Sequence, residues 1–285
     1  MIIINLKGGL GNQLFQYALG YVLSKKYNEA LYFDLSDHYK YSHGINQGIE
    51  QFQIDEMNLF QRPACISILT NRYVGAVTKC LKTFSIKLGS LTYVKEPART
   101  YVESLPHSCN TYYDGYWQSS LYFSDYKNDL RKQFVPKEID NSAYKLLYQI
   151  ERTNSIAVHI RRGDFENKGL RKVGHLLPIE YYKNAIIYME QNIESPEFYF
   201  FSDSPQFVKE LLGEKDNYHF VSNEYNGNAA TDMFLISKCR HGIMSASTFS
   251  WWGNWLRESE GIVLVPKKEY YNNHFYENEW IRIDF

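Results

Sequence analysis

The second half of the chain alternates short apolar segments with segments of helical periodicity, and this alternation limits the fold more than any other feature. Strands are predicted for residues 156–160, 198–201, 220–221, 242–246 and 262–265. Helices are predicted for residues 178–192, 205–212, 231–239 and 251–257. Strict alternation of this kind is typical of a parallel sheet that is covered by helices on both faces.

The start of the chain shows a similar order. A strand over residues 2–6 leads into a glycine turn, a largely buried helix over residues 13–26 and a second strand at residues 30–33. This order opens a doubly wound α/β unit. We therefore predict two Rossmann-like α/β domains that face each other across a cleft, residues 1–150 and 151–285. An alternative within this prediction is that the last helix packs back on the first domain.

Residues 66–91 carry apolar side chains at roughly helical spacing, with Arg72, Lys79, Lys82 and Lys87 between them. The favoured interpretation is a helix with one solvated face. The alternative is a basic face that contacts a membrane surface, so peripheral membrane association stays open.

Composition and charge exclude several classes of protein. The 285 residues include 31 Lys and Arg against 32 Asp and Glu, a balance that argues against a nucleic-acid binder. The four cysteines are widely spaced and predict neither a disulfide framework nor a zinc site. We find neither an apolar run long enough to span a membrane nor a signal peptide, and we expect a cytoplasmic location.

The first candidate site is the glycine turn GGLGNQ at residues 8–13. With Asp34 at the end of the next strand it is similar to a dinucleotide fingerprint, but Leu14 occupies the place of the third glycine. The remaining alternatives are a loop that meets an oxygen-rich ligand with its N–H groups and a turn that merely needs glycines. The residues assigned to a donor and acceptor cleft are Gly9, Gly11, Asn12 and Gln13.

The second candidate is the segment HIRRGD, which begins at His159 and ends the strand that opens the second domain. Open α/β sheets bind ligands at that end of their strands. Strand alternation predicts that His159 and Arg161 share one side and that Arg162 points to the other. Two guanidinium groups suit a diphosphate, and Asp164 is placed to orient either of them. A surface ion cluster is the alternative.

The third candidate is the hydroxyl-rich strand-to-helix junction SASTFSWWG at residues 245–253. A helix start with free N–H groups binds anions, although ordinary capping by Thr248 or Ser250 is the alternative. Asp203 and Asp232 are expected at the same rim, where a carboxylate suits a guanine edge or a ribose. Together these features predict a nucleotide-diphosphate site formed by His159, Arg161, Arg162, Asp164, Asp203, Asp232, Ser247, Thr248, Phe249 and Ser250. No D-x-D pair occurs, so we expect no metal.

Five segments together resemble one known family, the fucosyltransferases of glycosyltransferase family eleven, which are mostly α-1,2-fucosyltransferases. The segments are GGLGNQLFQYALG at residues 8–20, YYDGYWQSSLYF at 112–123, HIRRGDF at 159–165, the block 231–256 and the ending 279–281. The resemblance implies a GT-B-type fold with GDP-fucose on the second domain and the acceptor largely on the first. It also implies inversion at the fucose carbon and no metal requirement.

The resemblance further implies roles for individual residues. Arg161 matches an arginine that holds the β-phosphate, and we expect it to be the catalytic residue. His159 lies at the guanosine end of the donor motif, Asp232 matches a guanine-binding carboxylate, and Ser250 matches a phosphate-binding turn. Asn12 aligns with an asparagine that faces the donor.

The predicted function is inverting transfer of L-fucose from GDP-fucose to a glycan acceptor, at the 2-OH of a galactose-type residue, in glycan or surface polysaccharide synthesis. No cofactor is expected, because GDP-fucose is a co-substrate. The alternatives are another linkage, an NAD-dependent oxidoreductase that uses the glycine turn, and a non-catalytic sugar-nucleotide binder. The acceptor, the general base and the oligomeric state are not assigned.

Overall fold

The computed structural model describes residues 1–37, 48–54, 57–70, 84–97, 100–161, 176–221, 228–268, 271 and 274–285. The chain divides into two compact units. The N-terminal unit contains Met1–Phe134 and Tyr271–Phe275, and the C-terminal unit contains Val135–Tyr270 and Tyr276–Phe285. Each unit is built on a six-stranded sheet.

The N-terminal sheet has the strand order β3-β2-β1-β6-β5-β4, and its strands are parallel except for β4, which runs antiparallel to β5. Its strands are β1 (Ile2–Asn5), β2 (Leu31–Asp34), β3 (Asn58–Leu59), β4 (Phe84–Leu88), β5 (Leu91–Lys95) and β6 (Thr111–Asp114). Its helices are α1 (Leu10–Tyr27), α2 (Ala64–Leu69) and α3 (Lys127–Gln133), with 3₁₀ turns at Ile49–Gln51, Ser120–Tyr122 and Ser124–Tyr126.

The centre of this sheet is apolar because β1 is buried on both faces, as expected for an inner parallel strand. Helix α1 begins directly after the glycine turn and buries Leu14, Phe15 and Ala18. On the sheet, Ile3 packs with residues of the neighbouring strands and of α2. The predicted opening of strand, glycine turn, helix and strand is confirmed.

The helix predicted over residues 66–91 is wrong from residue 84 onward, where the chain forms the antiparallel hairpin of β4 and β5. The segment FSIKL alternates apolar and polar residues, which is the period of a strand, and Gly89 turns the chain with φ of 61°. Helix α2 ends at Leu69, and residues 71–83, with Arg72, Lys79 and Lys82, lie outside the described residues.

The C-terminal sheet is parallel throughout, with the strand order β12-β11-β10-β7-β8-β9. Its strands are β7 (Asn154–Ile160), β8 (Pro196–Ser202), β9 (Tyr218–Phe220), β10 (His241–Ile243), β11 (Val263–Pro266) and β12 (Ile281–Ile283). Its helices are α4 (Asn141–Arg152), α5 (Ile179–Asn192), α6 (Pro205–Leu212), α7 (Ala229–Lys238) and α8 (Thr248–Trp255).

The two faces of this sheet bury separate apolar clusters. Alternate residues of β7, such as Val158, pack with α5 on one face. Ala157 points to the other face, where it packs with residues of α4 and α7. The predicted parallel sheet with helices on both faces is confirmed. Two doubly wound units of this type confirm the predicted α/β fold of the GT-B type.

The division between the units differs in position from the predicted domain limits. The limit at residue 150 falls within α4, which belongs to the C-terminal unit because Ala143, Leu146 and Ile150 pack with β7 and β8. The last regular element is strand β12 of the C-terminal sheet rather than a helix. Among the described residues, no helix is long and apolar enough to cross a membrane.

Candidate functional site

The C-terminal sheet contains a topological switch point between β7 and β10. From β7 the chain adds β8 and β9 on one side and then returns through α7 to place β10 on the other side. The carboxyl ends of these parallel strands lie at one edge, where a ligand site forms in sheets of this type. His159 lies at this end of β7, and Ser245 follows β10.

A chain of polar side chains connects β7 to the start of α8. A hydrogen bond of 2.7 Å joins His159 Nδ1 and Ser245 Oγ, and Ser245 Oγ lies 3.3 Å from Ser247 Oγ. Ser247 Oγ accepts from the backbone N–H of Ser250 at 3.1 Å, and Ser250 Oγ accepts from the N–H of Ser245 at 3.2 Å. The structure thus brings His159 together with Ser247 and Ser250, which the sequence had assigned to one site.

His159 is neutral in this environment. Burial, followed by the positive charge of Arg161, lowers the pKa of its imidazole to about 3. Its ring centroid lies 5.1 Å from that of Phe249 on α8, on the sheet face that also holds Ala157. A neutral imidazole offers one donor and one acceptor, which suits hydroxyl or base groups rather than a phosphate.

The start of α8 is capped by Ser247, not by Thr248 or Ser250 as the capping alternative supposed. Ser247 has extended backbone angles and its side chain satisfies the third N–H of the helix. Among the described residues, no acceptor meets the first two N–H groups, those of Thr248 and Phe249. A helix start with such donors attracts an anion.

Arg161 follows the last residue of β7 and is half-buried. It lines a small pocket with Ile160, Leu177, Tyr182 and Phe207, which lies on the α5 face of the sheet, whereas His159 lies on the opposite face. Because the strand ends at Ile160, strand alternation alone does not fix the direction of Arg161. The other two charged residues of the motif, Arg162 and Asp164, lie outside the described residues.

The two rim carboxylates lie where the topology predicts them. Asp203 directly follows β8 and is exposed. Asp232 is half-buried in the first turn of α7, whose N-cap is Asn228. Because α7 crosses back toward β10, its first turn lies at the same edge as the carboxyl end of β7.

The glycine turn of the N-terminal unit follows β1 and leads into α1. Gly8 has φ of 79°, in the left-handed region that favours glycine, and a Cβ there would also lie 2.7 Å from Asn12 Nδ2. Gly9 is the N-cap of α1, and Gly11 is buried in its first turn. Gln13 Nε2 donates to the Gly8 carbonyl at 2.9 Å, and Gln13 Oε1 accepts from the N–H of Ile49.

The sequence did not predict a buried ionic network at the edge of the same sheet. Arg62 Nε donates to Asp34 Oδ2 at 2.5 Å, and its two Nη atoms donate to Asp37 at 3.1 and 2.9 Å. Asn5 Oδ1 accepts from Arg62 Nη2 at 2.8 Å, and Tyr112 OH donates to Asp34 Oδ2 at 2.6 Å. The one local signal is that Asn5 and Asp34 are the last residues of the neighbouring strands β1 and β2.

A second ion pair joins β1 to β6 across the switch point of the N-terminal sheet. Lys7 Nζ donates to Asp114 Oδ1 at 2.5 Å, and Asp114 also accepts from Asn5 at 2.8 Å and from Tyr93 OH at 2.6 Å. Burial opposes ionisation of Asp114, but Lys7 and these donors outweigh it and lower its pKa to about 2. Asp114 is therefore held as a carboxylate.

These contacts weaken the dinucleotide alternative. That alternative needs the Asp34 carboxylate for ribose hydroxyls. In the structure Asp34 is buried, its Oδ2 accepts from Arg62 and Tyr112, and its Oδ1 accepts from the N–H of Ser36. In the described part of the chain, no group of three or more His, Cys, Asp or Glu residues is placed to hold a metal ion. Metal independence of the reaction stays a prediction.

Two α/β units of the GT-B type, with a hydroxyl-lined helix start at the switch point of the second, are compatible with a sugar-transferring enzyme, and the class itself is given by the family. The family model "Glycosyl transferase family 11" matches residues 1–284, and the chain belongs to this family. It is 32% identical to an Escherichia coli alpha-1,2-colitosyltransferase, with 100% of this chain and 99% of that protein covered. It is 31% identical to the E. coli O-antigen biosynthesis glycosyltransferase WbnK, with 94% and 95% covered.

A solved structure shares the fold. The structure of an Arabidopsis thaliana FUT1 mutant in complex with GDP matches with a TM-score of 0.50 and 15% identity, over 95% of this chain and 71% of that chain. At this identity the likeness supports the architecture alone. The family resemblance drawn from the motifs is confirmed by the family model and by both E. coli relatives.

Proposed function

We propose that this chain transfers L-fucose from GDP-fucose, with inversion, to the 2-OH of a galactose-type residue. Membership of family 11 supports sugar transfer, and a relative named as an alpha-1,2-colitosyltransferase supports the 1,2 linkage. The observation that carries the proposal is the hydrogen-bonded chain from His159 to the start of α8 at the switch point. It is formed by the two segments that resemble the donor motifs of the family.

The proposed mechanism stabilises the departing GDP. Negative charge grows on the diphosphate as the bond to fucose lengthens, and fixed cations and N–H dipoles stabilise that charge. In this proposal Arg161 binds the β-phosphate. The N–H groups of Thr248 and Phe249 and the Ser250 hydroxyl donate hydrogen bonds to phosphate oxygens. Neutral His159 lies toward the guanosine. The general base is left unassigned.

Colitose is a second candidate for the transferred sugar, because of the 32% identity over the whole chain to a colitosyltransferase. Colitose is L-fucose without its 3-hydroxyl group, so the two donors differ by one hydrogen-bonding group. A site built to bind a hydroxyl rejects an analogue that lacks it by roughly 10⁴-fold or more. The ratio of kcat/KM for GDP-fucose and GDP-colitose therefore identifies the donor.

The direct test incubates the purified protein with GDP-fucose and a panel of galactosyl disaccharides that includes lactose. We expect an α-1,2-linked fucosyl product, with its linkage and anomeric configuration read by NMR. GDP should raise the melting temperature and NAD should not, because only a ligand that binds the folded state stabilises it. If the protein neither transfers nor hydrolyses GDP-fucose or GDP-colitose, it is a non-catalytic sugar-nucleotide binder and the proposed function is wrong.

The nucleobase assignment has its own test. Asp232 is proposed to accept two hydrogen bonds from guanine, and losing a hydrogen bond to a charged group costs roughly 1.5–3 kcal/mol. Asp232→Ala should therefore raise the dissociation constant for GDP about tenfold or more. If calorimetry gives an unchanged dissociation constant for GDP, Asp232 does not bind guanine and the assignment is wrong.

A further inference from the structure

The turn that follows β6, residues 115–118, has no role in the proposed mechanism although it lies within a family-like segment. Its residue Trp117 has φ of 57°, in the left-handed region that non-glycine residues rarely adopt, and its side chain is fully buried. Strained residues of this kind persist where the surroundings fix them, and they cluster at binding sites.

The carboxylate of Glu96 fixes this turn. Glu96 Oε2 accepts from the N–H of Tyr116 at 2.6 Å, and Oε1 accepts from the N–H of Trp117 at 2.8 Å. A Cβ at Gly115 would collide with the Glu96 side chain, so the glycine allows this close approach. One half-buried side chain therefore holds two successive N–H groups and imposes the conformation of the turn.

The turn lies at the switch point of the N-terminal sheet. β2 and β3 lie on one side of β1, and β6 lies on the other, so the turn after β6 adjoins the glycine turn after β1. Gln118 Nε2 donates to Asn12 Oδ1 at 2.8 Å and joins the two turns. The Tyr116 ring is 40% exposed, and Lys7 Nζ lies 5.2 Å from its centroid.

The charges at this edge favour a neutral ligand. Lys7 is paired with Asp114, and Arg62 is paired with Asp34 and Asp37. A diphosphate would have to compete with these carboxylates for the cations. An exposed tyrosine ring beside an oriented amide suits a sugar instead, since the ring packs on the apolar face of a pyranose and the amide binds hydroxyl groups.

We propose that the turn 115–118 is the acceptor-sugar subsite, with Tyr116 and Gln118 contacting the sugar and Glu96 acting as a positioning residue. This inference rests on the proposed function, because it assigns the acceptor of that reaction. It also gives a use for the strained backbone at Trp117, which holds Tyr116 and Gln118 in a single arrangement.

The test measures the KM values of both substrates, with the galactosyl disaccharide that the wild-type enzyme uses best. Tyr116→Ala should raise the acceptor KM about tenfold or more, while the KM for GDP-fucose changes less than about twofold. Glu96→Gln replaces one accepting oxygen with an NH₂ group and should raise the acceptor KM in the same way. Glu96→Asp, which keeps both oxygens, should recover part of the loss.

Asp140 provides the matched control, because its carboxylate also accepts two backbone N–H groups, those of Ser142 and Ala143 at 2.8 Å. Asp140→Asn should lower stability without changing the acceptor KM. If Glu96→Gln does not fold, Tyr116→Ala alone tests the subsite, because the Tyr116 side chain is exposed and its removal should leave the fold intact. An unchanged acceptor KM in Tyr116→Ala, with wild-type transfer intact, overturns the subsite and leaves the proposed function standing. A wild-type enzyme that transfers to none of the panel removes both.

Discussion

The buried imidazole of His159 gives the sharpest test of the C-terminal site. His159→Asn removes a titrating group but keeps an amide near the position of Nδ1, where it can still bond to Ser245 Oγ. If the ring is neutral because it is buried, this variant should remove a defined part of the acid sensitivity of the fold.

The magnitude follows from the pKa of His159, which burial lowers from 6.5 to about 3. Below pH 6.5 the His159 ring is protonated in the unfolded chain, whereas in the folded chain it stays neutral until about pH 3. This contribution to stability is therefore complete above the unfolded pKa and declines as the pH falls between the two values. Each pH unit in that window costs up to about 1.4 kcal/mol. Lowering the pH from about 7.5 to about 5 should thus remove about 2 kcal/mol.

The assay is urea unfolding of wild type and variant at both pH values. The wild type should lose about 2 kcal/mol more than His159→Asn, measured as free energy of unfolding. His241→Asn is the control: burial lowers the pKa of that ring to about 4, but it starts β10, at the edge away from Ser245. It should reduce acid sensitivity additively and leave GDP affinity unchanged. Equal acid losses in wild type and His159→Asn would refute a buried neutral ring.

Three further predictions concern the mechanism and the N-terminal network. Arg161→Lys keeps a charge but loses the planar fork, so kcat at saturating GDP-fucose should fall about a hundredfold while GDP still binds. If Arg161→Lys keeps near-normal turnover and Arg162→Lys is inactive, then Arg162 rather than Arg161 binds the β-phosphate. Activity should survive excess EDTA, and loss that Mn²⁺ restores would contradict a metal-independent mechanism. Arg62→Met leaves Asp34 and Asp37 without their cation and should cost about 3–5 kcal/mol in urea unfolding, and a loss near zero would contradict the buried network.

The C-terminal sheet could be predicted because its signals are local. An inner parallel strand such as β7 is apolar on both faces, and α6 begins at Pro205, which suits the first turn of a helix. The switch point follows from the same strand order, so His159 and the residues 245–250 could be assigned to one edge. The contact between His159 and Ser245 joins residues 86 positions apart, which explains why the sequence indicated their proximity but not their bond.

The N-terminal network could not be predicted, because its partners lie far apart in sequence. Lys7 and Asp114 are 107 positions apart, and Arg62 comes from a segment with no recognisable motif. The hairpin of β4 and β5 was missed because its apolar residues fit helical spacing as well as strand alternation over so short a run. Asp34 stands at the end of its strand, where the sequence pattern predicts a ligand-binding carboxylate rather than an internal ion pair.

The carboxyl edges of the two sheets differ in whether their charged groups are already paired. This difference supports placing the phosphates of the donor on the C-terminal unit. At the N-terminal edge, Lys7 and Arg62 bind carboxylates that are nearly or fully buried, so an incoming anion would have to displace Asp114 or Asp34. At the C-terminal edge the start of α8 holds N–H dipoles and buried hydroxyls, and the bonds among these groups involve no carboxylate. An anion there gains hydrogen bonds without breaking an ion pair. The same reasoning supports the proposed acceptor subsite, because the cations Lys7 and Arg62 at the N-terminal edge are already paired with carboxylates.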